Sequence, residues 1–255
     1  MLTTSATLLA WPKRLLKRML KSSSLPASIL WVRAPRCSIP KRKSSCPIGQ
    51  ARAEYDDLAV VCYVNSTAAV KAASDVCVTS SNAVKIVKKL PQKNIFFTPD
   101  KNLGHYVSTQ VPDKHFIVNQ GFCPRHDTVD PDYVKKVQAA HPRALFLAHP
   151  ECRKEVLALA DYVGSTSGII DYAGSSDAKE FIIGTEGGVF YELETRNPDK
   201  VFYPAMEDAY CINMKKVTLE KVRDCLRDET NEVFVDAKMA GKAVQALARM
   251  LDLAK

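Results

Sequence analysis

The first 45 of the 255 residues contain no aspartate or glutamate, although the chain as a whole holds 28 acids. No apolar run reaches the roughly 18 residues that a membrane-spanning helix needs, so no span is expected. The eight cysteines include no Cys-x-x-Cys pair, which excludes a zinc ribbon. Ten glycines are too few for a collagen-like repeat. With 46% hydrophobic and 25% charged residues, the chain is not of the disordered or coiled-coil kind. What remains is an ordinary globular composition, long enough for one large α/β domain or two to three small units.

The formal net charge of +8 points, taken alone, to a nucleic acid or an anionic membrane surface. Its distribution argues against that reading. Ten of the 36 Lys and Arg lie in 1–45, which leaves 26 basic against 28 acidic residues in 46–255, a net of −2. Residues 1–45 also hold both tryptophans, Trp11 and Trp31. Rich in Ser, Lys and Arg, this segment has the composition of an organelle transit peptide or a basic surface arm, and 13–20 could form one or two amphipathic turns. The alternative is a disordered tail, or sequence foreign to the fold. The body itself reads as intracellular, because disulfide scaffolding does not suit an α/β chain of this kind; a cytoplasmic location is expected.

From residue 58 the pattern becomes regular. Short apolar runs at 58–64, 94–98, 115–119, 144–148, 180–184 and 201–203 read as buried strands. Helical stretches such as 67–74, 82–89, 131–140, 152–160 and 217–227 alternate with them, which implies parallel βαβ layers. A long amphipathic helix is expected over 236–253, with Val244, Leu247, Met250 and Leu251 on its apolar side. The expected division is a basic extension over 1–45, αβα units over 46–145 and 146–235, and the C-terminal helix of 236–255 packing on the body.

An internal repeat carries more information. Shifted by 86 residues, 63–84 lies over 149–170 without a gap: Val70 meets Val156, Asp75 meets Asp161, and Thr79–Ser81 meet Ser165–Ser167. The same shift carries 99–104 onto 185–190, and two residues more bring Gly-Phe-Cys at 121–123 over Ala-Tyr-Cys at 209–211. A third cysteine is therefore expected ahead of the first copy. Cys46 is the candidate, although Cys46 to Tyr63 spans 17 residues where Cys123 to His149 spans 26. Cys46, Cys123 and Cys211 would share one structural address around a pseudo-threefold axis. Three thiolates could hold a [4Fe–4S] cluster and leave one iron free as a Lewis acid. Cys62 and Cys225 read as packed thiols inside a strand and a helix.

Polar residues just past buried parallel strands are where α/β folds place ligand sites. Tyr63-Val64-Asn65 and His149-Pro150-Glu151 hold equivalent positions in the two copies. The second strand of each copy ends in a hydroxyl-rich turn, Thr79-Ser80-Ser81 and Ser165-Thr166-Ser167. Such turns suit phosphate or carboxylate groups, or serve only as helix N-caps. His149 and Glu151 could act as acid/base partners. His126, three residues after Cys123, reads as a site residue or an ordinary surface histidine, with the surface reading preferred.

These residues closely resemble the quinolinate synthase family. The similarity lies in YVNST through VKKL (63–90), PDKNLG (99–104), Gly-Phe-Cys with a nearby His (121–126), HPEC (149–152), GST (164–166), GTE (184–186) and EDAYCINMKKVTL (207–219). The resemblance covers roughly 46–255. It implies three homologous αβα units around a pseudo-threefold axis, of which this chain would hold two and lack most of the first. It also implies an oxygen-sensitive [4Fe–4S] cluster on Cys46, Cys123 and Cys211, with Cys77 and Cys152 not ligands. The implied reaction condenses iminoaspartate with dihydroxyacetone phosphate, losing phosphate and two waters to give quinolinate for NAD synthesis. A functional link to L-aspartate oxidase follows from the same resemblance. Tyr63 would face the cluster and, with Asn65, contact substrate or intermediate. Ser80 and Thr166 would bind carboxylate or phosphate, and His149 and Glu151 would handle proton transfers. The alternative is a catalytically inactive remnant that binds small dicarboxylates.

Overall fold

The computed structural model describes residues 47–229 and 234–255. Among these, Cys46 and the basic extension of 1–45 are not included. Two four-stranded, all-parallel sheets organise the described chain. One compact unit is built from 122–211, the other from the described residues up to 121 together with those of 212–255.

In the latter, α1 (Pro47–Glu54) leads into β1 (Leu58–Tyr63), α2 (Ala68–Ala72), β2 (Val76–Val78), α3 (Ala83–Lys89), β3 (Asn94–Thr98), α4 (Lys101–Gln110) and β4 (His115–Val118). The strand order is β2-β1-β3-β4. In the 122–211 unit follow α5 (Pro124–Asp127), α6 (Pro131–Ala140), β5 (Leu145–Ala148), α7 (Lys154–Leu157), β6 (Tyr162–Val163), α8 (Thr166–Ser175), β7 (Glu180–Gly184), α9 (Val189–Arg196) and β8 (Val201–Pro204). Its order is β6-β5-β7-β8. A 3₁₀ turn (Met214–Lys216), α10 (Leu219–Asp228) and α11 (Ala237–Leu253) complete the chain.

The 86-residue shift carries β3 onto β7 and β4 onto β8, end to end. Register follows: Val61 pairs with Val76 as Leu147 pairs with Tyr162, and Asn94 with His115 as Glu180 with Val201. Side-chain contacts repeat as well. The amide of Val60 donates to Asp75 Oδ2 and that of Phe146 to Asp161 Oδ2, each at 2.7 Å. These carboxylates satisfy strand amides that a short β2 or β6 would leave unpaired. Lys114 Nζ donates to the carbonyls of Leu90 and Gln92, and Lys200 Nζ to those of Ala173 and Ser176. Each ammonium thus meets carbonyls at or just past the C-terminal end of a helix, where positive charge is favourable.

Each sheet has two covered faces, as the unbroken apolar strands require. Val61, Ile95 and Phe97 pack with Ile86 and Val87 of α3 and Leu103 and Val107 of α4, while Val60 and Phe96 meet Ile48 and Ala51 of α1. In the 122–211 unit, Leu147, Phe181 and Ile183 pack with Ile169 and Ala173 of α8 and Leu193 of α9. Phe146, Ala148 and Ile182 pack with Val134 of α6 and Val156 of α7. Burying each large apolar side chain of this kind contributes about 1.5–3 kcal/mol. The αβα layering expected from the sequence is therefore present.

Helices α4, α8 and α9 were not among the stretches read from periodicity. In α4 and α8 hydroxyls and glycines dilute the apolar spacing, and their starts are instead signalled by caps, whereas α9 follows Gly188 with no side-chain cap. Asp100 accepts from the Leu103 amide at 2.8 Å, and Ser165 from the Gly168 amide at 3.2 Å. The apolar side expected for the last helix holds at Met250 and is otherwise shifted. Its most buried residues are Ala243 and Ala246, at 0% and 2% exposure, with Met250 and Leu253 joining the β1–β4 core. Small side chains on both partners, Ala68 and Ala72 of α2 against Ala243, select this face over the larger Val244 and Leu247.

Candidate functional site

The densest chemistry lies at the C-terminal edge of the β5–β8 sheet, where short loops must follow strands that stop at a covered layer. Strand β5 ends at Ala148 and delivers His149, Pro150 and Glu151. Strand β7 ends at Gly184 and delivers Thr185 and Glu186. Cys123 is the N-cap of α5, a single turn with Pro124 at its first position, and that turn carries His126 inward.

His149, Glu151, Thr185 and His126 are all buried, at 3%, 6%, 1% and 6% exposure. The surface reading of His126 is thus corrected. Its Nδ1 lies 3.3 Å from Cys123 Sγ and 3.1 Å from Glu151 Oε2, and its Nε2 lies 3.0 Å from Thr185 Oγ1. The His126 and His149 rings stack at 4.5 Å with an 18° interplanar angle. The Glu151 amide donates to His149 Nδ1 at 3.3 Å, which leaves the proton of a neutral His149 on Nε2. His149 Nδ1 is also 3.3 Å from Glu151 Oε2.

Electrostatics separate the two imidazoles. Burial opposes protonation of His126, but hydrogen bonds to Cys123 and Glu151 and the Glu151 charge outweigh it and hold His126 well above its usual range. Burial, reinforced by charged His126, drives His149 down to about 3. Burial would raise Glu151, yet the His126 hydrogen bond and both imidazoles keep its carboxyl below the ordinary value. The arrangement is an ionised carboxylate between one charged and one neutral imidazole, a pair of environments that sorts acid from base.

The last loop of this unit is held by Glu186. Its Oε1 accepts from the Cys211 amide at 3.0 Å and its Oε2 from the Gly188 amide at 2.7 Å, while the Gly187 amide donates to Ala209 O at 2.8 Å. Gly187 makes this approach easy, since a Cβ there would stand 3.1 Å from Tyr210 Cε1 and 3.2 Å from Ala209 Cβ. Cys123 and Cys211 are half-buried. Cys62, Cys77 and Cys152 are fully buried, and Cys152 sits in the apolar core with its thiol pushed up to about 11 by burial.

The sequence-predicted residues are distributed as follows. His149 and Glu151 come together with Cys123. Thr166 begins α8 in the same unit, half-buried, beside the capping Ser165. Tyr63 (buried), Asn65 (exposed) and Ser80 (half-buried) follow β1 and β2 in the other unit. Cys46 lies outside the described residues. Sequence reasoning left His126 between a site residue and a surface histidine, and gave no role to Thr185 and Glu186. The repeat held a signal for Glu186, because Asp100 stands 86 residues earlier and the Lys101 amide bonds Gly121 O as the Gly187 amide bonds Ala209 O.

Repeated parallel αβα units with buried acid–base residues and half-buried thiols past the strand ends define a small α/β enzyme built by duplication. The family model "NadA: Quinolinate synthetase A protein" matches residues 28–252. A quinolinate synthase of Caldicellulosiruptor saccharolyticus is 50% identical over 224 residues, covering 84% of this chain and 74% of the relative. One of Fusobacterium nucleatum is 50% identical over 207 residues, covering 81% and 69%. Quinolinate synthase 2 of Methanosarcina acetivorans is 45% identical over 224 residues, covering 84% and 72%. The chain belongs to the quinolinate synthase family.

Proposed function

We propose that this chain catalyses condensation of iminoaspartate with dihydroxyacetone phosphate to quinolinate, with loss of phosphate and two waters, in NAD synthesis. The observation that carries the reading is the buried Glu151 carboxylate, with Oε2 set 3.1 Å from His126 Nδ1 and 3.3 Å from His149 Nδ1 at the end of β5. Glu151, held ionised, takes a proton from the carbon or nitrogen acid of the bound substrates. His126, paired to it, keeps a proton available for a departing hydroxyl. His149 presents Nε2–H as a neutral donor that orients a substrate oxygen. Tyr63, Asn65, Ser80 and Thr166 bind substrate carboxylate or phosphate in this reading. L-Aspartate oxidase is the functional link that would supply iminoaspartate.

A [4Fe–4S] cluster would be held by Cys46, Cys123 and Cys211. The donor set suits it, for Cys123 and Cys211 are half-buried thiols while Cys62, Cys77 and Cys152 are closed inside the core. When bound, such a cluster supplies a Lewis-acidic iron to a substrate hydroxyl or carboxylate.

The test is anaerobic reconstitution of the chain with iron and sulfide, followed by visible and electron-paramagnetic spectra and assay for quinolinate. Wild-type chain should acquire a cluster and form quinolinate, and Cys46→Ala, Cys123→Ala and Cys211→Ala should each lose the cluster signal. Cluster formation indifferent to those changes would overturn the ligands. A cluster without quinolinate would leave the chain as an inactive dicarboxylate-binding remnant.

A further inference from the structure

Among the described residues, one group of three metal-ligating side chains converges: Cys123 Sγ, His126 Nδ1 and a Glu151 carboxylate oxygen all lie within 4.8 Å of one another. The geometry points to a mononuclear site for a zinc-class divalent cation on Cys123, His126 and Glu151, occupied in chain that carries no iron–sulfur cluster. Thiolate, imidazole and carboxylate together are the donor set of Zn²⁺ and Co²⁺, whereas Mg²⁺ and Ca²⁺ take oxygen ligands. With metal–nitrogen bonds of about 2.0–2.1 Å and metal–sulfur bonds of about 2.3 Å, tetrahedral donors stand roughly 3.3–3.6 Å apart. The Nδ1 to Sγ and Nδ1 to Oε2 separations of 3.3 and 3.1 Å are already close to that, so a small expansion admits an ion.

The surroundings support the same use. A ligating histidine normally fixes its other nitrogen through a hydrogen bond, and His126 Nε2 stands 3.0 Å from the buried Thr185 Oγ1. His149 packs flat on the His126 ring and keeps it in plane. Its Nδ1 accepts from the Glu151 amide, so His149 is not counted as a ligand. Three protein ligands leave the fourth position for water or a small anion. Because Cys123 can serve only one centre, this ion and the cluster exclude each other. The site needs neither Cys211 nor Cys46, which separates its failure from failure of the cluster reading.

The experiment is an anaerobic Co²⁺ titration of full-length chain purified without iron–sulfide reconstitution and stripped with chelator. One equivalent should bind, with an intense thiolate-to-cobalt charge-transfer band and the visible bands of four-coordinate Co²⁺, and Zn²⁺ should displace it. Cys123→Ser should abolish the charge-transfer band. Thr185→Val should weaken binding by about 10–100-fold, and His126→Ala and Glu151→Gln by at least as much. Cys211→Ser should leave the titration unchanged, and circular dichroism of each variant checks folding. Absence of the charge-transfer band in wild type would overturn the site. So would its loss in Cys211→Ser together with indifference to Thr185→Val, since that pattern is a pair of thiols. If His126→Ala does not fold, the Thr185→Val and Cys211→Ser pair still decides.

Discussion

The two sheets share a scaffold and differ in chemistry, and position-by-position comparison shows which residues serve which. At the 86-residue shift, Asp75 and Asp161 accept from matching strand amides, and Lys114 and Lys200 donate to the matching carbonyls of Leu90 and Ser176. These polar residues hold the unit together, so both copies keep them. Past the first strand the copies part: Tyr63 stands where the other unit has His149, and Asn65 where it has Glu151. Inside the sheet they part again. Cys62 and Cys77 are register partners on β1 and β2, with Lys71 buried beside them at 2% exposure. The matching positions are Ala148, Val163 and Leu157, all apolar. Burial drives the Lys71 amine below its usual value, while the two thiols pull it back up. A duplicated fold thus tolerates a polar pocket in one copy that the other has filled with aliphatic groups.

The comparison can be strained in several ways. Ala243→Leu should cost about 1–3 kcal/mol by overpacking the α11 contact with α2. Hydrogen exchange should show the lost protection in the β1–β4 sheet and not in β5–β8. Lys71→Leu, which copies the other unit, should stabilise the chain by about 1–3 kcal/mol near neutral pH, where the buried amine bears its desolvation cost. The sign follows from linkage. A lysine whose folded pKa is depressed binds fewer protons folded than unfolded, so its penalty fades as pH rises toward 10.5. Wild-type stability should therefore climb from neutral toward pH 10 relative to Lys71→Leu, as read from denaturant midpoints. Asp75→Ala and Asp161→Ala should each cost about 1 kcal/mol, since each leaves a strand amide without its acceptor. Costs differing several-fold would break the equivalence of the two scaffolds. Asp199→Ala, which removes an exposed partner of Lys179, should change stability by less than about 0.5 kcal/mol.

Much of the fold was legible in sequence because strands buried on both faces read as continuous apolar runs. The 86-residue repeat, found from Asp75/Asp161 and the Ser/Thr turns, is matched by the common strand order of the two sheets. The face of the last helix was not legible. Alanines look weakly apolar in sequence and become the contact only when a partner of equal smallness, here Ala68, lies opposite. In the site, His149, Glu151 and Cys123 were legible through strand-end position and repeat. His126 was not, because its burial depends on a one-turn helix started by Cys123 and Pro124, and on Thr185 and Glu151 arriving from two other strands. Thr185 stood inside the GTE motif of the resemblance with no role attached to it. Its role exists only through the His126 hydrogen bond.

The most direct test of the chemical difference between the two units is Glu151→Gln in anaerobically reconstituted chain, with cluster content measured alongside quinolinate formation. Removing the carboxylate that sits between the two imidazoles should lower the rate by about 10²–10⁴-fold while the cluster spectrum is retained. An unchanged rate with an intact cluster would contradict the assignment of proton transfer to the end of β5.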